Sequence, residues 1–353
     1  MTAPKPSGAV RRGLLAVLLA VAVLVAATAC AISKPGYDPD KPTIRLAYQT
    51  FPSGDLVVKN KRWLEEALPD YNIEWTKFDS GADINTAFVA KKVDFGAIGS
   101  APVARGLADL HIGYQIAFVL DVAGENEALI ARNGTGIEKV ADLRGKRVAT
   151  AFASTSHYSL LTALRQAGVN PSEVDIVDLQ PQASYAAWQR KDIDAVYTWL
   201  PTLDEVRKDG KQIISSRELA GNGKPTLDLG VASTEIIESK PEVVDAWRKV
   251  QARALALIHS DPKAAAAAVA AEIGTDEEDA AAQLAQGTFL TIEQLTSPEW
   301  LGTQGKPGDV AEAVHSAAQF LKDQNQIPSV PPLADFSAAI YTEGLPGVFD
   351  NIN

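Results

Sequence analysis

The sequence predicts an α/β protein whose two parallel or mixed sheets are covered by helices. Three observations lead there. Short apolar or alternating runs are followed by helical patterns, in an order that repeats from Thr43 to Ile98 and again from Arg147 to Trp199. Polar turns rich in Ser, Thr, Gly and Pro stand where strand patterns give way to helical ones. Beyond Val231 the character changes to helices. At 353 residues the chain suggests about two domains. Its 46% hydrophobic and 22% charged content suits a soluble globular body.

The first segment is read apart from that body. Lys5, Arg11 and Arg12 precede an apolar run, Gly13 to Ala29, that stops at Cys30; this is the order of a signal peptide over residues 1–29. The rival is a membrane-spanning anchor, for which the run is just short and ends in small residues. Ala27-Thr28-Ala29-Cys30 resembles a bacterial lipobox, in which Cys30 becomes the lipidated first residue. Simple secretion is the alternative, because Ala27 replaces the usual Leu or Val. Cys30 is the only cysteine, so no internal disulfide or thiolate metal cluster can form. Removing residues 1–29 leaves 30 Lys+Arg against 44 Asp+Glu and moves the formal charge from −11 to −14. That surface does not suit nucleic acid or anionic lipid, so membrane contact is expected through the lipid anchor alone. Residues 30–41, with Pro35, Gly36 and Pro39, read as a tether.

The regular pattern then begins. Thr43 to Tyr48 alternates as a strand, Pro52 to Asp55 is a turn, and Leu56 to Leu68 is mostly helical. Asn72 to Phe78 is a second strand leading through Asp79-Ser80-Gly81 to a short helix, and Val93 to Ile98 runs into Gly99-Ser100-Ala101-Pro102, where Pro102 suits a first helical turn. Strands follow at Tyr114 to Leu120 and Ala128 to Ala131; later ones are Val174 to Leu179, Asp194 to Trp199 and Thr226 to Val231, with a helix over Ala183 to Arg190. Helices are expected from Pro241 to Leu257, from Ser260 to Gly274, from Thr275 to Gly287 with an acidic first turn, and from Gly308 to Gln324.

One stretch organises the rest. The apolar run Arg147 to Phe152 ends at Ala153-Ser154-Thr155-Ser156, after which Leu160, Leu161, Leu164 and Ala167 keep helical spacing up to Gly168. A helix starting at a strand's end presents unpaired N–H groups and a positive dipole end, so it can hold an anion without Lys or Arg. Ser154 and Thr155 read equally as simple caps. Other chemistry lacks its signature: there is no GxxxxGK[ST] loop, no GxSxG elbow and no HExxH pair, and Gly134-Thr135-Gly136 lacks a third glycine. Ser154 and His157 are close enough in sequence to suggest a nucleophile and base, but no acid is evident to orient the imidazole. No cofactor and no metal site are expected, and the chain is not read as an enzyme.

Ala47-Tyr48-Gln49-Thr50, Lys77 to Gly81, Ser154 to Leu161, Leu179-Gln180-Pro181, Ala186 to Arg190, Pro225 to Asp228 and Ala318 to Lys322 occur in one order. Together they resemble the taurine-binding proteins of bacterial ABC importers, within the wider family of aliphatic sulfonate and nitrate binders, over about Ile44 to Pro331. The resemblance implies the type II periplasmic-binding-protein fold, with ligand in the cleft between two lobes. Its crossings are expected near Asn126-Glu127 and Lys224-Pro225, giving a first lobe of residues 42–125, a second of 126–225, and residues 226–353 completing the first with C-terminal helices. It implies a monomeric, extracytoplasmic lipoprotein that delivers taurine or a similar small sulfonate to an ABC permease and its ATPase. Ser154 and Thr155 from one lobe and Ser100 from the other would hold the sulfonate. Asp228 would pair with the ammonium, Glu127 and Gln49 are second candidates, and Trp199 would lie over the carbon chain or the cation. Ala101 stands where a second serine often follows Ser100, which removes a donor. Gly230 stands where a tryptophan is usual, so that wall of the pocket is expected to be reshaped. A receptor for simple alkanesulfonates, a sensor without transport and an enzyme of pyrimidine-synthase type are the competing readings.

Overall fold

The computed structural model describes residues 37–223, 225–350 and 352. The expected signal peptide, Cys30, most of the tether and Lys224 lie outside the described residues. The chain divides into Met1–Pro42 and Thr43–Asn353. Of the first unit only the end is described, a turn in which the Asp40 N–H donates to the Asp38 carboxylate.

The second unit carries two five-stranded sheets of the same design. The first uses β1 (Thr43–Tyr48), β2 (Asn72–Lys77), β3 (Phe95–Gly99) and β4 (Tyr114–Val122). The second uses β5 (Glu127–Arg132), β6 (Arg147–Thr150), β7 (Asp175–Asp178), β8 (Ala195–Trp199) and β9 (Gly210–Ser215). The chain then returns with β10 (Leu227–Ser233) to the first sheet. The orders are β2-β1-β3-β10-β4 and β7-β6-β8-β5-β9. In each, three strands run parallel and the strand arriving from the other sheet lies antiparallel between its neighbours. Of the residues expected at the crossings, Asn126 and Glu127 stand at the start of β5 and Pro225 just precedes β10.

Helices cover both sheets, as their near-continuous apolar strands require. In the second sheet Leu129, Ala131, Val148 and Tyr197 face the main core, while Ala128, Ile130, Ala149 and Val196 face a second cluster around Trp188. Alternate residues therefore bury opposite faces. The helices that matter for the site are α1 (Gly54–Lys61), α2 (Gly81–Val89), α3 (Ser100–Ala108) and α4 (Thr155–Gln166). Farther on, α5 (Pro241–Ser260) carries Trp247 into the first core, and α6 (Val310–Asp323) packs on α3 and reaches α4, where Phe320 meets Tyr158 edge-on at 4.6 Å.

The single helix expected over Leu56 to Leu68 breaks at Arg62, which takes a left-handed conformation (φ 57°) and closes α1. The edge strand β9 and the helices Thr202–Arg207 and Ser216–Gly221 were not expected. An edge strand half exposed to solvent, as Gly210-Lys211-Gln212 is, carries no apolar run to reveal it.

Candidate binding site between the two sheets

The parallel strands end, and their helices begin, around one small cavity of about 30 Å³ between the lobes. Gln49 follows β1, Gly81 opens α2, Gly99 ends β3, Ser154 and Thr155 open α4, and Trp199 ends β8; all line it. Glu127 and Asp228, at the starts of the two crossing strands, complete the lining with Asn126, Phe51, Pro102 and Ala123. The lobes touch here. A Cβ built on Gly99 of the first lobe would stand 2.6 Å from Thr155 Cγ2 of the second and 3.6 Å from Asp228 Oδ1.

At the start of α4 the hydroxyls are already engaged. Ser154 caps the helix: its Oγ accepts from the His157 N–H at 3.2 Å and donates to the Ala151 carbonyl at 2.6 Å. The Thr155 hydroxyl donates to Glu127. Among the described residues, no acceptor takes the N–H groups of Thr155 or Ser156. At this turn those two N–H groups, not the serine and threonine hydroxyls, are the polar groups left without a partner, at the positive end of the helix dipole. The preceding Ala153 has φ 59° and donates its N–H to His157 Nδ1 at 3.3 Å. The imidazole also stacks on Phe152 with centroids 4.5 Å apart. His157 Nδ1 is thereby an acceptor, and burial pushes the imidazole down to about 4, so it is neutral. Its ring does not meet Ser154 Oγ, and no nucleophile–base pair forms.

Glu127 sits in a cage of hydroxyls. Its Oε2 accepts from Thr155 and Ser156, and its Oε1 accepts from Ser159, Ser216 and Thr226. Five donors saturate a carboxylate. Asp228 differs: across the β4–β10 ladder it stands directly opposite Asp121, another aspartate. Asp121 is wholly buried and its Oδ2 accepts from Asn126 Nδ2 at 2.9 Å, while its Oδ1 has no hydrogen-bond partner among the described residues. Burial, reinforced by the neighbouring Asp121, raises the Asp228 carboxyl well above the ordinary range; burial also raises Asp121 to about 6. Gln49 donates its amide to the Ala97 carbonyl at 2.9 Å, which leaves its Oε1 as an acceptor.

Six of the seven residues singled out in the sequence for the ligand line this one cavity: Gln49, Glu127, Ser154, Thr155, Trp199 and Asp228. Ser100 does not. Its buried hydroxyl accepts from the Leu227 N–H at 3.2 Å and pins β10 to α3. Gly230 is no pocket wall either, because a Cβ there would stand 2.4 Å from the Trp247 ring, which fills that space from α5. Asp121 escaped sequence reasoning. Its signal was an acid inside the apolar run Ile116 to Val122, where an ionised group has no local partner.

The NMT1/THI5-like family matches residues 72–265, more than half of the chain. The chain belongs to that family. A taurine-binding periplasmic protein of Escherichia coli K12 is 37% identical over 264 residues, covering 73% of this chain and 79% of its own. A putative aliphatic sulfonates-binding protein of Bacillus subtilis 168 is 31% identical, covering 68% and 72%. Among solved structures, the periplasmic aliphatic sulphonate binding protein of E. coli superposes with a TM-score of 0.69 at 22% identity, over 86% of this chain and 92% of that one. The shared fold is that of periplasmic binding proteins, with two lobes. Both curated relatives are named as binding proteins.

Proposed function

We propose that the protein captures taurine, or a closely similar small zwitterionic sulfonate, outside the cytoplasm and delivers it to an ABC permease and its ATPase. One observation carries the choice of ligand: the start of α4 and Asp228, which faces a second acid and, among the described residues, no cation, line the same small cavity. In this reading the sulfonate accepts from the Thr155 and Ser156 N–H groups, Asp228 takes the ammonium, Gln49 Oε1 assists it, and Trp199 lies over the two-carbon chain. A monoanion without an ammonium would gain no charge pair from Asp228. The expected lobes, 42–125 with 226–353 and 126–225, close on the ligand by a hinge at the crossings. Cys30 anchors the mature protein by lipid to the outer face of the membrane.

Calorimetry with taurine, ethanesulfonate and 2-aminoethylphosphonate tests the reading. Taurine is expected to bind well over tenfold tighter than ethanesulfonate. Equal affinities would instead support the second reading, a receptor for simple alkanesulfonates, which the Bacillus subtilis relative favours.

A further inference from the structure

Asp121 and Asp228 face each other in register on adjacent antiparallel strands, one wholly buried and one lining the cavity. Two carboxylates this close cannot both stay ionised without a counter-charge. Among the described residues, no cation is paired with either carboxylate. Glu127, from β5, is the other titratable group facing them, and it raises the carboxyl of each. Asn126 is neutral and serves Asp121 Oδ2, and a Cβ built on Gly287 would stand 3.0 Å from that oxygen. At the crossing segment, Arg207 is engaged with Asp204, Gln212, Gln286 and the Glu125 carbonyl. Arg217 is engaged with Glu125, Thr288 and the Gln286 carbonyl. Among the described residues Asp121 Oδ1 has no hydrogen-bond partner, and a proton on the facing Asp228 supplies one.

We propose that Asp121 and Asp228 share one proton in the free protein and that the ligand's ammonium displaces it, so that capturing an aminosulfonate releases one proton to solvent. The inference rests on the zwitterionic ligand argued above. At the acid pair, proton and ammonium substitute one for one; because the zwitterion is neutral overall, the loaded site is one unit more negative, the charge that the sulfonate brings to the start of α4. Asp121 is then a positioning residue: it sets the protonation of Asp228, which touches the ligand. The sign follows. Below the upper titration of the free pair, each pH unit of increase strengthens taurine binding up to tenfold, and above it the affinity levels off. A simple alkanesulfonate brings no ammonium, leaves the shared proton in place and releases none.

Calorimetry of the intact chain with taurine, at about pH 6 in buffers of small and large protonation enthalpy, counts the protons directly. Close to one proton released per taurine is the expected result. Taurine bound with no proton exchange overturns the inference and leaves the proposed function standing. No taurine binding at all overturns both. Asp121→Asn supplies a second readout, in which taurine still binds, proton release falls by more than half and the pH profile moves to the acid side. Release equal to that of the unaltered protein would show that Asp121 does not share the proton.

Discussion

Asp228 and Glu127 occupy equivalent places, each at the start of the antiparallel strand that enters its sheet from the other. What separates them is satisfaction. Glu127 accepts five hydroxyl hydrogen bonds, so an ammonium there would have to displace donors that already suffice. Asp228 faces another acid across the ladder, so a cation relieves it. Asp228→Ala is therefore expected to lose about 2–5 kcal/mol of taurine binding, the range for breaking a buried charge pair, with ethanesulfonate nearly unchanged; titration calorimetry measures both. His157 carries a pH effect of its own. Its folded value, about 4, lies below the ordinary imidazole value, so its contribution to stability is complete above about pH 6.5 and declines as pH falls toward 4. Across that window His157→Gln is expected to narrow the stability gap to the unaltered protein by up to about 3 kcal/mol, read from urea unfolding at a series of pH values.

At the scale of elements, the strand–cap–helix unit from Arg147 to Gln166 is legible in the sequence because its signals are local. The apolar run, the capping serine and the helical spacing all lie within about twenty residues, the span of one such unit. The assignment of the cap's hydroxyls was not legible, because Glu127 enters from another strand to take Thr155 and Ser156. The N–H groups can be tested apart from the hydroxyls. Proline is tolerated at the first helical position and removes its N–H, and Ser154 already has the extended conformation a following proline requires (φ −94°, ψ 172°). Relative to Thr155→Ala, Thr155→Pro is expected to lose a further 1.5–3 kcal/mol or about that of taurine affinity, the worth of a hydrogen bond to a charged group. Circular dichroism should show α4 intact.

For the whole molecule, the repeated sheet design brings the parallel strand ends of both lobes to one cavity. At about 30 Å³ it is far below the roughly 150 Å³ that takes benzene in an engineered core, so the lobes must part to admit a ligand. Gly99 and Thr155 are where they meet. Gly99 has φ −64° and ψ 154°, open to any residue, so Gly99→Ala acts only through its added methyl, 2.6 Å from Thr155 Cγ2. Overpacking of that kind costs about 1–3 kcal/mol. It is expected to weaken taurine binding by about that amount in calorimetry while leaving unfolding of the ligand-free protein unchanged. Adding Thr155→Ser, which removes Cγ2 and keeps the hydroxyl for Glu127, should restore most of the affinity.

By itself the sequence determined what short-range pattern can determine: strands followed by helices, the capped start at Ser154, the strand from Thr226 to Val231 that carries Asp228, and an acidic chain with a single cysteine. Tertiary structure alone decided which polar groups meet. Ser100 turned to the β10 backbone, Thr226 reached Glu127 from 99 residues away, and Asp121 came opposite Asp228. The reason is physical. Capping and periodicity are energies between near neighbours in the chain, whereas the pairing of buried charges is set by strand register between segments that meet only when both lobes are folded.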